Sequence, residues 1–176
     1  MNNKTFLIAA FAFLLCSAFT GFVVSDWQIK DKEYAVKFDT RWASGTMQGL
    51  KGTINFDEKN LAQSGFNVSI DVKTINTGSA LKDKHAKADG FFNVEKYPTI
   101  RFQSAKIEKT NVGYQVNGAL TIKETTKNVS IPFAFDNKGN EGNFKGSFSI
   151  NRSDYNLKKM GVGETIKIEL VVPVKK

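Results

Sequence analysis

Hydrophobic and polar residues alternate with a period of two along most of this chain. Phe66, Val68, Ile70 and Val72 fall on one side of segment 66–72, and Asn67, Ser69 and Asp71 fall on the other. Tyr114, Val116, Leu120 and Ile122 share a side with Gly118 in 114–122. Val129, Ile131, Phe133 and Phe135 share one in 129–135, and Phe144, Phe148 and Ile150 share one with Gly146 in 144–150. The last such run, 166–174, aligns Ile166, Ile168, Leu170, Val172 and Val174. Successive side chains of a strand point to opposite faces, so this period predicts antiparallel strands with one dry and one wet face. Three further segments bring the predicted total to eight strands: about 33–40 (Tyr34, Val36, Phe38), about 44–56 (broken by Gly45, Gly49 and Gly52) and about 99–108 (Ile100, Phe102).

The links Asp57–Ser64, Lys109–Val112 and Asp136–Asn140 are short and rich in turn formers, as hairpins require. Pro132 and Pro173 lie on the wet side of their runs. Each removes a ladder donor and so predicts an edge, bulge or strand end. Only 79–89 reads as helix, with Ser79 placed to cap it and Gly90 to end it. Eight short-linked strands with one apolar face predict an all-β fold, an eight-stranded antiparallel up-and-down barrel with one short helix at about 79–89. A β-sandwich is the competing architecture. The strand glycines 45, 49, 52, 118 and 146 fit two readings: curvature in a closing barrel, or room left for a ligand.

The first 18 residues break the pattern. Lys4 precedes the short apolar run Phe6–Leu15, and Cys16-Ser17-Ala18 supplies small residues where a signal peptidase reads them. We expect residues 1–18 to be a signal peptide and 19–176 to form one domain, exported, with the periplasm as the expected destination and secretion as the alternative. Leu15 before Cys16 departs from a lipidation motif.

Composition narrows the chemistry. The 176 residues carry a single Cys and a single His, which excludes an internal disulfide and most His/Cys metal sites. No metal, cofactor or catalytic set is expected. His85 has no evident nucleophile beside it in the sequence. Its readings are a helix residue bonded locally, a polar group at a cavity mouth, or the centre of an enzyme site. The formal charge of +8 is spread singly over loops and wet faces, not clustered with aromatics. That distribution argues against nucleic acid and fits a solvated surface, with transient contact to an anionic membrane as the sharper alternative. Phe38, Phe66, Phe102, Phe133 and Phe148 all alternate with polar neighbours. They either fill the barrel or line a tunnel.

Several segments together resemble the YceI-like family of exported, lipocalin-like lipid-binding barrels. The block at about 70–102 holds Thr77-Gly78, Lys82-Asp83-Lys84-His85, Phe91-Phe92, Lys96-Tyr97-Pro98 and Phe102. A second block holds Gly118, Leu120, Thr121, Thr126 and Lys127, and a third runs Ile150-Asn151-Arg152-Ser153-Asp154-Tyr155. Departures include Glu33-Tyr34 where the family often has His-Ser, Ala86 after the His and Gly90 before the Phe pair. Others are Glu124-Thr125 in the second block and Asn156 after the third. The departures bear on headgroup contacts more than on the fold.

The resemblance implies a barrel that binds a long isoprenoid-type chain, polyprenyl or quinone, in its apolar interior. The expected lining is Val36, Phe38, Phe66, Val68, Ile70, Phe91, Phe92, Phe102, Leu120, Ile122, Phe133, Phe148 and Ile150, with His85, Lys127 and Arg152 at a polar mouth. The alternative function is a non-catalytic envelope stress or structural module acting through its outer surface. Oligomeric state is left open.

Overall fold

A computed structural model describes residues 26–157 and 163–176, so the expected signal segment lies outside the described residues. The strands are β1 (Asp26–Ile29), β2 (Ala35–Asp39), β3 (Ser44–Asn55), β4 (Gly65–Asn76), β5 (Thr99–Thr110), β6 (Gly113–Ile122), β7 (Thr125–Asn137), β8 (Glu141–Asn151) and β9 (Thr165–Lys175). The α-helix α1 (Ala80–Lys87) lies between β4 and β5. Strands β2 to β9 pair in sequence order, all antiparallel, and β2 also pairs with β9, which closes an eight-staved barrel.

The ninth strand corrects the expected count without changing the architecture. β1 pairs with Ile54 and Asn55 of β3 and with Val174 and Lys175 of β9, just past the reach of β2. Together β1 and β2 make one stave, interrupted at residues 30–34. Pro173 sits on β9 between the β2 pairings, which end at Val171, and the β1 pairings, which begin at Val174. Its carbonyl accepts from Lys30 N at 3.0 Å, and its missing N–H falls where the stave is broken. Pro132 marks a similar limit: the β7–β8 ladder stops at Phe133↔Gly146, and Pro132 has no donor to extend it.

The alternation in β6 to β9 is observed as expected. In β3, β4 and β5 it slips. Met47 and Ile54 are buried and Leu50 packs against them, Val72 and Ile75 are both buried, and so are Phe102 and Ile107. These odd spacings follow bulges, with register shifts between Thr46 and Lys51 on β3 and between Ser104 and Lys106 on β5. Thr74 bridges the first irregularity: its hydroxyl accepts from Gln48 N at 2.7 Å and donates to Gln48 O at 3.0 Å. Gly52 has φ +135°, and a Cβ there would run into the Asn67 carbonyl of β4. Gly118 likewise faces the Gln103 carbonyl and the Phe102 ring. At these two positions glycine serves close backbone approach, while Gly146 faces the interior space described below.

The two barrel ends differ. At the end carrying β1 and the β3–β4 loop, Phe56 is 1 % exposed. Its ring centroid lies 5.1–6.1 Å from those of Phe66, Tyr114, Phe133, Phe135 and Phe144. Most of these pairs are edge-to-face, the arrangement ring quadrupoles favour. Trp27 caps the cluster, stacking its edge on Phe135 and donating Nε1–H to the Phe56 carbonyl at 2.9 Å. This end is plugged. The other end is covered by the β2–β3 turn at 40–43 and by α1 with the segment after it.

Candidate functional site

An apolar cavity of about 410 Å³ occupies the barrel above the aromatic plug. Protein interiors seldom hold a void larger than a water molecule, and an engineered apolar cavity of about 150 Å³ already takes up benzene. This space is therefore a feature of the barrel and not a packing fault. All eight staves contribute to its wall. All thirteen apolar residues expected as lining, from Val36 to Ile150, do line it. Phe66, Val68, Ile100, Phe148, Ile168 and Leu170 point inward yet are only partly buried, because part of their surface faces the void.

Sequence reasoning missed part of the wall. Met47 and Leu50 lie in the bulged strand, where no simple alternation marks a face. Ile168 and Leu170 were legible as an apolar face but not as cavity wall. At the mouth it missed Trp42, Thr77 and Lys82, whose residue types carry no periodic signal.

The mouth is built from two short elements. Thr40 ties the β2–β3 turn: its hydroxyl donates to the Ala43 carbonyl at 2.8 Å and accepts from Ala43 N at 3.0 Å. Helix α1 spans only Ala80–Lys87 and buries none of its residues. Ser79 stands at its N-cap position, but the Ser79 side chain makes no capping bond, and Ala88, not Gly90, ends the helix. Asp83 supplies the anchor instead, accepting from Thr77 N at 2.8 Å and from the Thr77 hydroxyl at 2.6 Å. Beyond the helix, Phe91 and Phe92 turn inward, edge to face at 4.8 Å, and hold the segment down. Lys82 Nζ donates across the opening to the Trp42 carbonyl at 3.2 Å.

Those Thr77 bonds favour the charged carboxylate, so they hold Asp83 below its ordinary value of 3.8. A group with a depressed folded pKa stabilises the fold above its unfolded value and loses that contribution as pH falls through the folded one. The α1 anchor is therefore expected to be intact above about pH 4 and to loosen at more acid pH. Hydrogen exchange of the α1 amides should show faster opening in Asp83→Ala at neutral pH, and little further effect of acid in that variant. Equal protection in both proteins at neutral pH would remove Asp83 as the anchor.

Of the three polar residues expected at the mouth, only His85 lines the cavity, from an exposed position on α1. Lys127 pairs with Leu120 across the β6–β7 ladder, but it lies beyond the point where β7 parts from β8. Its side chain is exposed and does not line the cavity. Arg152 is committed elsewhere. Its guanidinium donates to the Leu157 carbonyl at 2.6 Å, the Gly163 carbonyl at 3.1 Å and Glu164 Oε1 at 2.9 Å. It staples the β8–β9 connection and does not line the cavity. Nearby, burial pushes the Tyr155 phenol up to about 12, so this group stays neutral at physiological pH.

Arg152→Leu would leave the carbonyl of the fully buried Leu157 without that donor. An unsatisfied buried polar group costs about 1–3 kcal/mol. We expect a lower thermal midpoint with uptake of a soluble quinone retained. Unchanged stability with lost uptake would return Arg152 to the mouth.

Among the described residues, no group of three or more His, Cys, Asp or Glu is placed to hold a metal ion, and no helix is long and apolar enough to cross a membrane. The arrangement thus offers an apolar container, a plugged end and a sparsely polar mouth.

Comparison with known proteins places this architecture. A UPF0312 protein of Yersinia pestis is 30% identical over 187 residues, covering 99% of this chain and 97% of its own. BcnA of Burkholderia cenocepacia has a similar structure, with a TM-score of 0.78 at 22% identity, over 83% of this chain and 99% of its own. A polyisoprenoid binding domain from Saccharophagus degradans, implicated in plant cell wall breakdown, superposes with a TM-score of 0.69 at 11% identity, over 86% of this chain and 98% of its own. The model of the YceI-like domain matches residues 27–174, which run from the Trp27 cap of the plug to the last stave, and the chain belongs to that family.

Proposed function

We propose that this protein binds or carries a long-chain isoprenoid-type lipid, polyprenyl or quinone, in the barrel cavity, acting in the periplasm and without catalysis. The observation that carries the reading is the 410 Å³ apolar cavity, which falls within the range of about 300–1,000 Å³ typical of small-molecule sites. Transfer of a hydrocarbon chain into it gains roughly 25 cal/mol per Å² of apolar surface taken from water, so affinity needs no catalytic group. The few polar groups at the mouth, Thr77, Lys82 and His85, suit orientation of a headgroup at the surface. A fold shared with a polyisoprenoid binding domain supports the same reading. A module acting only through its outer wall has no use for an open interior.

Calorimetric titration tests the proposal. The purified protein, stripped of bound lipid, should bind a decyl-tailed quinone and a polyprenyl alcohol saturably at one site. A fully folded protein that binds neither would sink it.

A further inference from the structure

The described residues expose four large apolar side chains; one of them, Trp42, lines the cavity mouth, and another, Leu81, lies on α1 between Ala80 and the mouth residue Lys82. Trp42, 57 % exposed, lines the opening on the β2–β3 turn. Leu81, 64 % exposed, lies on α1 next to Lys82, whose Nζ reaches the Trp42 carbonyl. Loose chain does not explain the exposure of Trp42, because Thr40 makes hydrogen bonds that close the turn and present the indole outward. Cations neighbour each of the two: Arg41 beside Trp42, and Lys82 and Lys84 one and three residues from Leu81 on α1. The Arg41 guanidinium carbon lies 5.3 Å from the Trp42 ring centroid, and Lys82 and Lys84 are exposed on α1. The one acid of α1, Asp83, is turned to Thr77. An indole and a Leu facing solvent, with Arg and Lys as neighbours, have the chemistry of a surface that meets both the headgroups and the upper acyl region of an anionic bilayer.

We propose that this rim, formed by Trp42, Leu81, Arg41, Lys82 and Lys84, docks the cavity mouth onto an anionic lipid bilayer. The proposal rests on the reading of the cavity as a lipid site, and it names the surface with which that site exchanges. Docking sets the opening against the membrane, so an apolar chain can pass between bilayer and barrel with little exposure to water. Apolar insertion and cation attraction act together, so neither patch alone needs to bind strongly.

The two tryptophans make the test direct, since Trp27 is 4 % exposed within the plug and Trp42 is at the rim. The protein is purified as its host processes it and mixed with vesicles of phosphatidylglycerol and phosphatidylethanolamine, or of phosphatidylcholine alone. We expect a blue shift of tryptophan emission with the anionic vesicles, lost at high salt, and none with the zwitterionic ones. Arg41→Glu with Lys84→Glu, neither of which lines the cavity, should weaken vesicle partition by about thirtyfold or more. Leu81→Ser should weaken it less.

Uptake of a decyl-tailed quinone without vesicles is measured in parallel, and both rim variants should retain it. Retained quinone uptake with no emission shift, or equal partition of wild type and the charge-reversed variant, overturns the docking proposal and leaves the cavity reading standing. A shift that appears with protein concentration alone assigns the rim to a second copy and also overturns it. Anionic docking with no quinone uptake supports the rim and counts against the cavity reading.

Discussion

Filling the cavity from two staves is expected to abolish lipid uptake while the barrel stays folded. Val36 on β2 and Val68 on β4 flank β3, and both face the void. In Val36→Phe with Val68→Phe, the added ring atoms are directed at the void that both side chains line. Overpacking penalties arise where a new side chain meets a filled core, and here it meets a hole. The added rings gain dispersion contacts that the void denies its present lining, so thermal stability should be equal or higher. Binding behaves oppositely. Each methylene the lipid can no longer bury forfeits about 0.8 kcal/mol, so excluding two costs roughly tenfold in affinity, and excluding a whole isoprene unit costs far more. Titration with a decyl-tailed quinone and a thermal melt on the same sample read both effects. Retained affinity in the filled variant would place the ligand outside the barrel, and a collapsed melt would mean the cavity is smaller than its walls indicate.

Removing the hub of the plug should have the largest effect on stability. Phe56 is 1 % exposed and touches five aromatic rings, and its carbonyl accepts from the Trp27 indole. Phe56→Ala leaves a hole among rings held by several strands, which have little freedom to collapse into it. Such truncations cost about 3–5 kcal/mol, a large part of a typical total of about 5–15 kcal/mol. Phe148→Ala is the informative control. Phe148 faces the existing cavity and is only partly buried, so its ring has fewer partners to lose. Urea denaturation should show a much larger fall in midpoint for Phe56→Ala than for Phe148→Ala. Equal falls would mean that the two ends of the barrel are packed alike.

The contrast between these two phenylalanines also shows what could be read from sequence. Alternation marks which side of a strand is dry, and on β6, β7, β8 and β9 it did so rung by rung. It does not report whether the dry side meets other side chains or a void, because that depends on barrel radius and on which rings reach the axis. Phe133 and Phe148 are alike as sequence signals. Both line the cavity, but Phe133 is buried against Tyr114 and Phe56 of the plug, while Phe148 is only partly buried and has no ring of the plug against it.

Bulges hid more. The slip from Val72 to Ile75 lies in the pairing of β4 with β3, and the residues themselves carry no mark of it beyond Gly49 and Gly52 nearby. β1 went unseen because four residues with two core-facing side chains, Trp27 and Ile29, are too few to establish a period. Arg152 illustrates a further limit. A guanidinium suits a pyrophosphate, but it equally suits backbone carbonyls, and its partners come from residues 157–164, a connection with no alternation to place it. The family resemblance carried the expected lipid site, and within it the apolar lining was more legible than the polar mouth. Inward-facing positions follow from strand parity, whereas a mouth is set by how a turn and a short helix meet.

Mass spectrometry under non-denaturing conditions, on protein recovered from its own host, bears most directly on the claim that the cavity holds a lipid. We predict a bound species with the mass of a polyprenyl or quinone lipid, released on unfolding and absent from the protein carrying Val36→Phe and Val68→Phe. Wild-type protein that emerges folded and empty, and remains empty after exposure to both lipid classes, would contradict it.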